Sequence, residues 1–400
     1  MSLATDSYDL MVLGASFAGL EVAYQVAKTM PNCRVLVIDR RSEHAYIPLI
    51  HEILCGGLSP QVSTLNTKAC LAGAPNLAFV VGEIVKLHPQ QHEVSLADGR
   101  SFRGAEIVVA LGSEVVAPPE LPGHSFLAGL KFKESGESIA QQIRSARRLA
   151  DPQPVRVIVV GGGISGVELA GELAMIATSR DASERPLNIS LIQSQDRLLP
   201  ALHRRAGERA RTALERQGVD VRLATQLVSA HRGGLTLREQ VDGHVEETLM
   251  PCELAFWAAG VRPSPVLAKL GLQMTDRGWI AVDPNLRPRD ASGAPIEGLW
   301  CIGDAARVVE DGRVWPTMLR AIEALWQAWV VLRTLRRRLR GNKSGKPARH
   351  RLIRDFPHGV SVGSASLLIF GPIAFNGGRF AARFRRFLLR MYVRRYGPLR

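Results

Sequence analysis

The chain has 400 residues, 46% of them hydrophobic, enough to bury a sizeable core and to divide into two or three domains. Lys and Arg outnumber Asp and Glu by 51 to 37, and the resulting +14 favours an acidic partner, nucleic acid or anionic lipid, without choosing between them. Five widely spaced cysteines, odd in number and with no C-x-x-C pair, suggest reduced thiols in a reducing compartment; MSLATDSYDL lacks the basic start and apolar core of a secretory signal. The longest nearly uncharged apolar stretch, Val360 to Phe375, is broken by Gly363, Gly371 and Pro372 and is too short for a comfortable membrane span. A protein in the cytoplasm, or facing it, is expected.

The first predicted unit is a strand, a glycine turn and a helix, VLGASFAGLEVAYQVA at Val12–Ala27. Gly14 and Gly19 hold the tight positions of a dinucleotide turn, and Ser16 stands where the middle glycine is usual. The next strand, CRVLVIDRR, ends in Asp39, whose carboxylate suits an adenosine ribose. A second unit follows at VVGGGISGVELAGELA, Val159–Ala174, with Gly161 for the turn, Gly163 for pyrophosphate approach and Gly166 for close helix packing. Its helix start presents N–H groups and a positive dipole end to phosphates. The following strand, NISLIQSQDR, ends in Gln193 rather than an acid. A neutral amide bonds a ribose hydroxyl without repelling a 2′-phosphate, so NADPH should be accepted as well as NADH. Two such units, each with its second strand, predict two dinucleotides bound by one chain.

A third element, LWCIGDAARV, closes a short strand with Gly303 and Asp304. In two-dinucleotide flavoproteins such a pair bonds the ribityl and phosphate part of FAD, and the chain resembles that class. The expected fold is α/β, with two Rossmann-like doubly wound domains of the glutathione-reductase type and a C-terminal amphipathic helical region that anchors to a membrane. The boundaries follow from the crossover segments AEIVVALGSEVVAPPELPG and CELAFWAAGVRPSPVLAKLG. Residues 1–119 and 275–330 would form a split FAD domain, 120–274 the NAD(P)H domain, and 331–400 the basic C-terminal region.

HAYIPLIHEILCGGLSP, from His44 to Pro60, is similar to the H-x-x-x-P-L…G-x-L-S-P segment of type II NADH:quinone oxidoreductases. GGGISGVELAGELA, FWAAGVRPSP and CIGDAARV also match that family, and the similar blocks run from about Tyr8 to Pro316. The resemblance implies a peripheral, monotopic enzyme on the cytoplasmic face that passes two electrons from NAD(P)H through FAD to a membrane quinone. It implies FAD contacts at Gly14, Ser16, Gly19, Asp39, Arg40, Ala110, Gly112, Gly303 and Asp304, with NAD(P)H at Gly161, Gly163, Gly166, Gln193 and Gly260. Pro48, flanked by Ile47 and Leu49, would line the flavin ring. Glu168 would lie near the nicotinamide and position it or relay a proton, against the plainer role of stabilising its helix start. His51 is a further proton-donor candidate. No metal is called for.

The family's usual quinone-site helix pattern is altered here, leaving Arg320, Glu323 and Gln327 as the nearest polar candidates. Without closely spaced cysteines near the flavin there is no thiol relay, which disfavours a sulfide:quinone oxidoreductase. A soluble oxidase or reductase of the same fold, and a nucleotide-binding redox sensor, remain alternatives, and a homodimer stays open.

In GGRFAARFRRFLLRMYVRRYGPLR, Phe380, Phe384, Phe387, Leu388 and Met391 share one helical face amid arginines. Such a helix suits an anionic membrane interface; docking on the protein itself or on a partner competes with that reading, and the apolar face argues against nucleic acid. Deleting the residues after Asn376 is expected to release the protein from membranes with its flavin retained.

Overall fold

The computed structural model describes residues 7–396 except 60, 150, 179–182, 242, 291 and 352–355, so Pro60, the last residue of the His44 segment, lies outside the described residues. Seven α-helices occur among the described residues: α1 (Phe17–Thr29), α2 (Thr67–Leu71), α3 (Lys133–Arg147), α4 (Ile164–Ala177), α5 (Arg204–Glu215), α6 (Ala321–Arg338) and α7 (Gly378–Arg395).

The apolar strand Ser7–Leu13 becomes the centre of a seven-stranded sheet because both its faces are covered. It runs parallel to Val35–Asp39 on one side and to Ser101–Val109 on the other. Leu77–Val81 extends the sheet beyond Val35–Asp39, and Leu299–Cys301, from far down the chain, pairs in parallel with Ser101–Val109. Two antiparallel strands, Glu93–Leu96 and Ile84–His88, complete it. One core runs through this sheet, α1 and α6.

A second parallel sheet has the order Ala128–Gly129, Leu254–Trp257, Val155–Val160, Leu187–Ile192, Val219–Arg222. Its core takes in α3, α4 and α5. An antiparallel meander, Gln226–Pro251, lies within the same stretch of chain. The two segments that cross between the sheets pair with each other, Ser113–Glu114 against Arg262–Pro263. Two Rossmann-type α/β units are thus present as expected.

The C-terminal region differs from the helical segment expected there. His358–Val362, Ala365–Phe370 and Ile373–Asn376 form an antiparallel meander packed on α4 and α5. The glycines and proline that interrupt the apolar stretch are its turns, with Gly363 and Gly371 at φ +59° and +55°. Only then does α7 begin.

Candidate functional site

Both glycine turns are built alike. Gly14 has φ +101° and Gly161 φ +110°, and a Cβ on either would strike backbone, 2.4 Å from Ala110 O and 2.5 Å from Ala259 Cα respectively. Gly19 and Gly166 sit against the carbonyls of those turn glycines, where a Cβ would fall 1.9 and 1.7 Å from oxygen. Each turn is then braced by the residue ending the next strand. Asp39 Oδ2 accepts from Ala15 N at 2.6 Å, and Gln193 Oε1 accepts from Gly162 N at 3.0 Å. Gln193 thereby reproduces the brace with a neutral group.

The space around the turns suits nucleotides. A Cβ on Gly163, Gly112 or Gly260 would meet no atom within 4 Å, so these glycines face open space. Ser16 occupies the equivalent position in the first turn, and its Oγ lies 3.1 Å from His44 Nδ1. Beyond Asp39 an open cavity of about 570 Å³ is lined by Arg40, Arg41, Glu114, Lys131 and Phe132, a basic lining suited to the adenosine and phosphate portion of a dinucleotide. Burial raises the Asp39 pKa, and hydrogen bonds from Ala15 and Arg41 oppose that shift. Asp304 Oδ2 accepts from Ser113 Oγ at 2.7 Å and lies 4.0 Å from Lys131 Nζ. Lys131 is buried, donates to Ser113 Oγ at 2.7 Å, and has its pKa lowered by that burial. The residues present fit FAD at the first turn and a nicotinamide dinucleotide at the second.

The two units meet through Glu168. It sits one turn into α4, yet its Oε2 lies 3.4 Å from Nδ1 of His51, on the 3-10 helix Ile47–Ile53 that carries Pro48 in the other unit. Ser361 N donates to Glu168 Oε1 at 3.2 Å, and Arg385 of α7 approaches to 3.7 Å. Burial pushes the Glu168 carboxyl up to about 7, and burial pushes His51 down to about 3, so the histidine is neutral.

Of the three quinone-site candidates, two serve the fold. Glu323 Oε2 accepts from Thr317 Oγ1, Met318 N and Leu319 N at 2.7, 2.7 and 3.1 Å, holding a turn in which Leu319 has φ +50°. Gln327 Oε1 accepts from Gly303 N at 2.7 Å, tying α6 to the Gly303–Asp304 turn. Arg320 instead contacts His358 of the C-terminal meander and contributes to the field at Glu168.

The tail docks by a face that its hydrophobic periodicity did not mark. Ala381, Leu389, Tyr392 and Tyr396 are buried, whereas the Phe380, Phe384, Phe387, Leu388 and Met391 stripe is exposed. Leu389 packs with Leu49 and Leu58. Tyr392 Oη lies 2.9 Å from His44 Nε2, so Tyr392, His44 and Ser16 form a chain from α7 to the first glycine turn. Buried Glu21 of α1 accepts from Trp329 Nε1 at 2.8 Å and also binds Arg395 and Tyr396. Of these, the sequence signals were weak: His44 lay inside the recognised segment, and Lys131, Arg385 and Tyr392 belong to no motif.

Residues 8–328 match the pyridine nucleotide-disulphide oxidoreductase family, and the chain belongs to it. Within that class it is similar to the type II NADH:quinone oxidoreductase of Staphylococcus aureus, 24% identical over 354 residues covering 86% of this chain and 85% of the relative. That likeness bears out the family resemblance read from the sequence. Among solved structures, NDH2 from Plasmodium falciparum in complex with NADH superposes with TM-score 0.81 at 14% identity, covering 97% of this chain and 95% of that one. The sulfide:quinone oxidoreductase of Aquifex aeolicus gives 0.78 at 13% identity, covering 99% and 92%. At such identities the superpositions speak for the fold.

Proposed function

We propose that the chain is a peripheral, FAD-dependent NADH:quinone oxidoreductase without proton pumping. The observation that carries this reading is the Glu168–His51 contact, which brings the head of the second nucleotide helix against the Pro48 segment of the first unit. FAD, when bound, accepts a hydride from NADH and returns two electrons to an acceptor. The chain's own work is placement. The Gly14 turn and Asp39 hold one nucleotide, the Gly161 turn and Gln193 the other, and Asp304 with Ser113 stands beside the crossover between the units. Pro48 and its neighbours would exclude water from a bound flavin ring, and Glu168, its carboxyl raised by burial, would hold a proton on the nicotinamide side.

Anaerobic addition of NADH to the purified protein should bleach the flavin absorbance, and a soluble quinone should restore it. Bleaching without quinone-driven recovery would assign the electrons to oxygen or a protein acceptor instead. The same trace with NADPH tests Gln193: because its amide only braces Gly162, the NADH preference is expected to stay below about a thousandfold, roughly 4 kcal/mol.

Among the described residues no helix is long and apolar enough to cross a membrane. Besides the exposed stripe of α7, the hairpin residues Phe370, Ile373 and Phe375 of the neighbouring meander are exposed by 44%, 60% and 43%. These apolar side chains, with exposed Arg383, Arg390 and Arg394 on α7, support peripheral attachment to an anionic cytoplasmic membrane face. The triple variant Phe380→Ser, Phe384→Ser, Phe387→Ser should lose co-sedimentation with anionic vesicles at unchanged flavin content. Undiminished sedimentation would place attachment elsewhere.

A further inference from the structure

The two units meet again around Phe132. This residue precedes α3 of the second unit, and its backbone is fixed there by Ser135, whose Oγ accepts from Phe132 N at 2.9 Å and from Lys131 N at 3.1 Å. Its ring packs on Ala45, Ile50 and Ile53 of the first unit. The guanidinium of Arg41, also of the first unit, lies over that ring, 3.6 Å from its centroid. Two ion pairs flank the stack and cross between the units in opposite senses, Arg41 to Glu134 at 3.1 Å and Lys133 to Glu43 at 3.6 Å.

The stack stands at the edge of the space suited to adenosine. Arg41 and Phe132 line the cavity of about 570 Å³ beyond Asp39, and they also line a neighbouring one of about 270 Å³ that reaches Thr64 and Val81. Both sides of the contact are anchored on groups that would hold the cofactor. Asp39, which braces the first glycine turn through Oδ2, accepts from Arg41 N at 2.8 Å through Oδ1. Lys131, next to Phe132, donates to Ser113 Oγ, which in turn donates to Asp304. The outer side chains are held more loosely: Arg41, Glu134, Lys133 and Glu43 are 36%, 67%, 26% and 41% exposed. Pairs so exposed add little to stability and are screened by salt. A contact with a firmly placed backbone and loosely held side chains can part without unfolding either unit.

We propose that Phe132, Arg41 and their two crossed ion pairs form a clasp between the units that parts to admit or release FAD, and so sets how long the cofactor is retained. This rests on FAD at the first glycine turn and not on the acceptor of its electrons. Closed, the clasp ties the start of α3 to the rim of the cavity beyond Asp39; open, it leaves that rim to the first unit. Entry and exit use the same opening, so loosening the clasp speeds both. A contact that only steadied the bound cofactor would govern release alone.

The test follows FAD fluorescence on the full-length protein, as holoprotein is diluted and as apoprotein is mixed with FAD. Phe132→Ala should speed release and rebinding alike, each on the order of tenfold, while the equilibrium constant moves by less than about threefold. Reversing one member of the outer pair, Glu43→Lys or Lys133→Glu, should speed release at low salt by about threefold or more, and the double reversal should restore it. A through-space action of these charges on the anionic cofactor would move the two single variants in opposite directions. If Phe132→Ala fails to fold, the reversals at these exposed positions decide. Unchanged rates, faster release without faster rebinding in Phe132→Ala, or opposite shifts in the two reversals overturn the clasp. A wild-type protein that binds no FAD overturns the placement of the cofactor, and the clasp with it.

Discussion

Removing the chain after Asn376 should yield a protein that purifies largely without flavin and melts well below the intact chain. The buried face of α7 supplies Leu389, Tyr392 and Tyr396 to the core of the first nucleotide unit. Deleting three large buried side chains costs on the order of 5 kcal/mol or more even before the loss of hydrogen bonds. Those bonds matter here because Tyr392 closes the chain through His44 to Ser16 at the glycine turn, and because Glu21 would remain buried without Arg395 and Tyr396. The ratio of flavin to protein absorbance and a thermal melt measure the effect. A truncated protein with full flavin and an unchanged melting temperature would show that α7 is the detachable anchor expected from its apolar stripe.

The second large effect separates two glycines of one turn. Gly163→Ala places a methyl where nothing lies within 4 Å, so folding and flavin content should be unchanged. If a pyrophosphate approaches there, the NADH KM should rise on the order of a hundredfold, since lost phosphate hydrogen bonds to the helix start are worth about 3 kcal/mol. Gly166→Ala places its methyl 1.7 Å from Gly161 O, and the helix must move off the strand. That variant should lose thermal stability as well as NADH affinity. Steady-state kinetics and melting of the pair give the answer, and an unaltered KM in Gly163→Ala would remove the nucleotide from this turn.

Much of this arrangement was legible because the nucleotide turns are local. Steric demands at Gly14, Gly161 and Gly166 act within a strand, a turn and a helix, and they leave their mark within some twenty residues. The acceptor side was harder to read because its polar groups arrive from distant segments. Glu323 and Gln327 occupy suggestive positions on α6, yet their oxygens are engaged by nearby backbone N–H groups, a choice set by tertiary geometry. Glu172 lies one helical turn beyond Glu168, and its meeting with Cys55 depends on how the two units close. In α7 the arginines masked a docking face. Arg385 turns inward to carboxylates while Phe380 turns out, the reverse of what hydrophobicity alone assigns.

The first nucleotide sheet starts at Ser7, takes its strand Leu299–Cys301 from the last third of the chain, and has α1 sealed by Tyr396. Its closure therefore waits for nearly the whole polypeptide, whereas the second parallel sheet draws its strands from one continuous stretch between Ala128 and Trp257. During synthesis the second parallel sheet can close while the first still lacks a strand, although the covering of α4 and α5 by the C-terminal meander comes only with the last residues. Contacts of such long sequence separation make the first unit the slow step of folding.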